Sequence, residues 1–147
     1  MSNKKIEAWK SIFPKDKSIF VATNVKSIHP VVDKIVANLC GIDLIQYVRV
    51  SQDYLQASNE IKVKGRIKVP VTTIGHPTAV GVYLVLDFPY DSIQFHEINS
   101  AVKGYGEKIV DAVMTAIPNN WEAAVVMDWS DGFWERMTEK YENILIV

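Results

Sequence analysis

An acidic series, Asp128, Asp131, Glu135, Glu139 and Glu142, runs through the C-terminal part of the chain. From Asp131 onward the spacing is four, four and three, which places the carboxylates on one face of a helix. Carboxylates so placed can serve in three ways. Asp131 can cap the helix, with Glu135 beside its positive end. The whole stripe can dock a partner of opposite charge. Asp128, Asp131 and Glu135 can hold a hard cation such as magnesium. No phosphate-handling motif accompanies the acids, so neither a metal nor another cofactor is expected. Like charges one turn apart cost about 0.2–0.5 kcal/mol per pair, and a stripe kept at that cost points to a surface with a use.

A basic series faces it from the other half of the chain. Residues 60–69 alternate, with Lys62, Lys64, Arg66 and Lys68 on one side and Ile61, Val63, Ile67 and Val69 on the other. As a single strand this sets four cations in a row, about 7 Å apart. Tyr47, Arg49 and Tyr83, on neighbouring strands, are expected to share that face. Cations with aromatics on an open sheet suit single-stranded nucleic acid or another phosphate-bearing ligand. The same lysines also discourage edge-to-edge pairing of a solvated strand.

Elsewhere the chemistry is thin. His29, His76 and His96 show no metal-ligand spacing and suit surface or capping positions. Cys40 is the lone cysteine, excludes an internal disulfide, and reads as a packed, inert thiol. There is no G-x-S-x-G, no dinucleotide fingerprint and no H-E-x-x-H. Gly104 and Gly106 fall inside an expected helix with no strand before it. They therefore read as points of close approach rather than a phosphate cradle. Trp9, Trp121, Trp129 and Trp134 suit core packing, or an aromatic-lined pocket for a small apolar ligand.

The elements that must position these residues follow from periodicity. Apolar residues at Ile98, Val102, Tyr105, Ile109, Val113 and Ile117 recur every three or four positions, predicting a long helix over about 92–117 that starts from Asp91. A second helix is expected over about 30–40, opened by Pro30, with shorter ones over 3–12 and 132–141. Strands are expected over 18–24, 43–51, 60–69, 78–88, 121–129 and 143–147. The fold class is α+β over residues 1–147 as one domain. A mixed, mainly antiparallel sheet of five or six strands carries the long and second helices on one face and ends in a C-terminal βαβ unit.

Composition narrows the function. With 48% hydrophobic and 22% charged residues the chain is an ordinary globule. The N-terminal residues are polar, and no apolar run approaches the ~20 residues of a membrane helix, so a cytoplasmic protein without a membrane role is expected. The net charge of −1 argues against a general nucleic-acid binder. It hides an asymmetry: residues 1–77 hold 12 Lys and Arg against 6 Asp and Glu, whereas residues 118–147 hold 2 against 6. The expected role is non-enzymatic protein binding through the acidic C-terminal helix to a partner with a basic surface. A cytoplasmic inhibitor of a basic toxin, of the immunity-protein kind, has this character. The alternatives are nucleic-acid or phosphate-ligand binding by the basic strand, and a small-molecule pocket protein or an enzyme without a familiar motif.

Overall fold

A computed structural model describes residues 4–125 and 132–147 of the chain. In order, it forms α1 (Lys4–Lys10), β1 (Ser18–Val21), α2 (Pro30–Cys40), β2 (Tyr47–Val50), β3 (Tyr54–Ser58), β4 (Ile61–Lys64) and β5 (Ile67–Pro70). There follow β6 (Val80–Asp87), β7 (Ser92–Ser100), α3 (Tyr105–Met114), β8 (Glu122–Val125), α4 (Phe133–Lys140) and β9 (Ile144–Ile146). Seven strands make one sheet in the order β1-β2-β3-β6-β7-β8-β9, and β4 and β5 pair separately. Three neighbouring pairs in the large sheet are parallel, β1–β2, β7–β8 and β8–β9. The other three are antiparallel. The sheet is thus larger and more evenly mixed than expected, while the closing β8–α4–β9 unit is parallel as its short joints imply.

One face of the sheet is apolar throughout. Successive cross-strand partners run Val21, Val50, Leu55, Leu84, Phe95, Val125 and Ile146 from edge to edge. A parallel row holds Ile19, Val48, Ala57, Val82 and Ile98. Against this face α2 buries Val31, Val32, Ile35, Val36 and Leu39, and α3 buries Ile109, Val110 and Val113, in one core cluster. Trp134 of α4 meets Phe95 at 5.0 Å between ring centroids. Asn38 of α2 donates to the Ala112 carbonyl at 2.9 Å, tying α2 to α3.

The common face has a topological consequence. β1 and β2 run antiparallel to β7, β8 and β9, yet the three βαβ units β1–α2–β2, β7–α3–β8 and β8–α4–β9 step the same way across the sheet and put their helices on the same side. The first crossover is therefore of opposite hand to the other two, so the right-handed preference is not met by all three.

Two expected elements are different in kind. The long helix over about 92–117 is instead a strand followed by a ten-residue helix, β7 then α3. A bulge explains the misreading. Leu84 pairs with Phe95 and Tyr83 with Glu97, so His96 is an extra residue and the inward positions become 93, 95 and 98. The three-residue step from Phe95 to Ile98 imitates a helical period. Asp91 starts no helix; at φ 49° it ends the 3-10 turn Phe88–Tyr90 that joins β6 to β7. The second difference is the basic strand, which reverses at Gly65 (φ 64°) into the β4–β5 hairpin. The segment Tyr54–Ser58, in none of the expected strands, is a central strand.

The other sheet face carries no helix of the core cluster. The chain leaving β5 lies against it at Gly81, where a Cβ would sit 2.6 Å from the Ala57 carbonyl and 2.9 Å from that of Val71. Among the described residues, no helix is long and apolar enough to cross a membrane. Gly81→Ala is expected to lower the stability measured by urea unfolding by about 2 kcal/mol or more, because the two carbonyls belong to backbone that cannot turn aside. A variant as stable as the parent would contradict this close crossing.

Candidate functional site

The turn from β7 into α3 combines a fixed strand end, a glycine at positive φ and a helix start. β7 is held along its whole length by β6 and at its start by β8. Asn99 near its end is clamped: its side chain donates to the carbonyls of His76 (2.9 Å) and Ala79 (2.7 Å) and accepts from the Gly75 N–H (2.9 Å). Ala101 N–H donates to the Ala79 carbonyl. From this fixed point the exposed residues Ala101, Val102, Lys103 and Gly104 lead into the helix.

Gly104 is the N-cap at φ 89°, a left-handed conformation that suits glycine. The space a Cβ would take there is open to 4 Å. Backbone N–H groups of Lys103, Gly104, Gly106 and Glu107 find no acceptor among the described residues. A helix N-terminus of this kind carries partial positive charge and donors that converge outward.

Three contacts brace the turn. Tyr105, the first residue of α3, donates its hydroxyl to both carboxylate oxygens of Asp43, at 2.8 and 3.0 Å. Lys108 lies over the Tyr105 ring at 4.4 Å. Phe133 packs beside Gly106, 3.2 Å from where a Cβ would stand, so close approach is what this glycine permits. Farther along α3, Lys140 of α4 pairs with Asp111 (2.8 Å) and Glu107 (3.2 Å), and Tyr141 donates to Asp111 at 2.6 Å. These carboxylates hold the Lys140 ammonium above its usual range. They also leave Glu107, in the first turn, already partnered.

The residues expected from sequence are distributed otherwise. Asp128 and Asp131 lie outside the described residues, and the magnesium reading that uses them lies there too. Gly132, at φ 83°, holds the α4 N-cap expected of Asp131. Glu135 and Glu139 are exposed one turn apart on α4, and Glu142 is exposed beyond it. Among the described residues, no group of three His, Cys, Asp or Glu side chains is placed to hold a metal ion.

The basic row is broken. Across the hairpin Lys62 partners Val69 and Lys64 partners Ile67, whereas Lys68 partners Val63 on the other side. Lys62 and Lys64 therefore face away from Lys68, with Arg66 at the turn. The hairpin also exposes Val63 (71%) and Ile67 (41%), so it is no longer a clean charged platform. On the large sheet Arg49 and Tyr83 do share a face, joined through Gln56 in the row Phe20, Arg49, Gln56, Tyr83, Glu97. Tyr47 falls on the same face one row along, opposite Ser58. Tyr83 stacks on Tyr54 and meets the bulged His96. Arg49 Nε is buried without a hydrogen-bond partner among the described residues.

His29 caps α2, accepting the Val31 N–H on Nδ1, and His76 accepts from Thr78 and Ala79 within its loop. Cys40 is buried, and desolvation pushes its thiol up to about 11. It is no nucleophile at neutral pH. Sequence reasoning missed the β7–α3 turn because it took Lys103, Gly104 and Gly106 for helix interior. The available signal was alternation at Ile93 and Phe95, which marks a strand ahead of the glycines.

The chain matches no family model, no curated protein and no solved structure. The brace on the turn is open to a pH test. The Tyr105 hydroxyl, by its hydrogen bond, holds the Asp43 carboxyl below its ordinary value. A depressed carboxyl adds stability above its unfolded value of about 3.9 and loses it as pH falls through the lower folded value. The stability difference between the parent and Tyr105→Phe is expected to stay level from pH 7 to 5 and to shrink below pH 4. Denaturant unfolding across that range checks it.

Proposed function

We propose that the chain binds a phosphate-bearing small molecule of the nucleotide class at the β7–α3 turn. The observation that carries this reading is the sequence of parts: a strand end, a glycine at positive φ, and a helix start where the Gly104, Gly106 and Glu107 N–H groups have no acceptor among the described residues. Glycine-rich strand-to-helix turns hold phosphate because the backbone can approach the anion and the helix dipole favours its charge. Lys103, exposed in the loop, adds a cation where the phosphate would sit. Glu107, the one acid in the first turn, is neutralised by Lys140. The turn also lies at the carboxyl end of β7, where ligands of parallel strand units gather.

A second reading concerns α4. Glu135 and Glu139 are exposed and unpaired among the described residues, and Lys140 is occupied by Asp111 and Glu107. Beside the exposed Arg136, the stripe of Glu135 and Glu139 is left anionic, which supports docking of a protein with a basic surface and a cytoplasmic inhibitor's role. The two readings use different surfaces and are compatible.

Titration of labelled protein with ADP and with pyrophosphate is expected to shift the amides of Lys103, Gly104 and Gly106 saturably. Gly104→Val, which puts a branched side chain at positive φ, is expected to weaken binding by about tenfold or more. Absence of any saturable shift with both ligands would refute the phosphate reading. For α4, the double change Glu135→Lys with Glu139→Lys is expected to abolish capture of the native partner from lysate while the circular dichroism spectrum is kept. Undiminished capture would refute the docking reading.

A further inference from the structure

At the opposite end of the sheet lies a cavity of about 470 Å3. β1 and β2 run against β7, so their carboxyl ends open there, beside the N-terminus of α2 and the short 3-10 turn Phe88–Tyr90. The volume falls within the range of small-molecule sites.

Its walls divide by chemistry. Val25, Val50 and the Phe88 ring supply an apolar side. The polar side includes several donors. Ser51 lines the cavity, is only 8% exposed, and its hydroxyl has no partner among the described residues. Open to the cavity, that hydroxyl is free to donate to a bound acceptor, a net gain of one hydrogen bond. The Val32 N–H, in the first turn of α2, likewise has no acceptor among the described residues. His29 accepts the Val31 N–H on Nδ1 at 3.1 Å, so its neutral ring carries the proton on Nε2. That ring is stacked on Phe88 at 4.4 Å, which fixes its plane against the apolar wall. None of the twelve lining residues is an acid.

We infer that this cavity binds a small organic anion, a single carboxylate or phosphate on a flat apolar body. The charged group is received by Ser51 Oγ, the Val32 N–H and His29 Nε2, and the body lies against Phe88 and Val50. Two observations support it: a solvent-accessible cavity with no acid in its lining, and at its wall a largely buried serine whose hydroxyl has no partner among the described residues. The inference does not depend on the β7–α3 reading, since the two sites lie at opposite ends of the sheet and report on different amides.

The test is an amide titration of the full chain with benzoate, phenyl phosphate and benzyl alcohol. Either anion is expected to shift the Val32 and Ser51 amides saturably in the millimolar range, and the tighter of the two identifies the charged group. Benzyl alcohol is expected to bind at least about tenfold more weakly, and Ser51→Ala to weaken the anion by about fivefold, the worth of one neutral hydrogen bond. Unshifted Ile19 and Leu55 amides in Ser51→Ala certify the fold. No saturable shift with either anion, or equal affinity for benzyl alcohol, overturns the proposal in the parent protein alone.

Discussion

The fold depends on one continuous apolar row, the seven residues from Val21 to Ile146 that cross every strand of the large sheet. Three of its members, Leu55, Leu84 and Val125, are at most 1% exposed. Truncating a leucine in such a place costs about 2–5 kcal/mol, a large part of a domain's whole stability. Because the row is all on one face, α2, α3 and α4 must cover that face. With all three helices on that face, the β1–α2–β2 crossover takes the opposite hand to the two C-terminal ones. The uncovered face is then free to hold Arg49, Gln56, Tyr83 and Glu97, with the hairpin and its following chain laid over part of it.

The bulge at His96 keeps this row intact. β7 reaches it with Phe95, and without an extra residue Ile98 would turn to the polar side while Glu97 entered the core. One inserted position preserves both Phe95 and Ile98 inside. It also brings His96 to Tyr83 and delivers Asn99 to its clamp on the Gly75–Ala79 loop. The glycine turn therefore starts from a braced strand end, which would hold its donors in place for the proposed ligand. Preorganisation of that sort lowers the ordering cost of binding.

Charge is arranged around the same helix. The acids of α3 are taken up by Lys140, which anchors α4, while Asp43 takes the Tyr105 hydroxyl. The N-terminus of α3 is thereby relieved of competing negative charge. The acids left unmatched are those of α4 that face outward. Near α2 a similar economy holds, since the Asp33 carboxylate accepts from Trp9 of α1 rather than facing the cavity.

What the chain alone determined is whatever rests on local chemistry. Pro30 and the stripe from Val31 to Leu39 specify α2 with its observed ends, because capping and a helical period are written in adjacent residues. The parallel β8–α4–β9 unit, the capping histidines and the packed Cys40 were legible for the same reason. Register and turn placement were not. A bulge shifts side-chain parity by one, and that shift made β7 and α3 look like one helix. A glycine at positive φ folded an alternating basic run back on itself, so that Lys62 and Lys68 point apart. Pairing between distant strands decided both, and it alone brought Ser51 to the end of α2 and Gly104 to the end of a strand. No local pattern encodes such meetings, since they depend on which strands share one buried face.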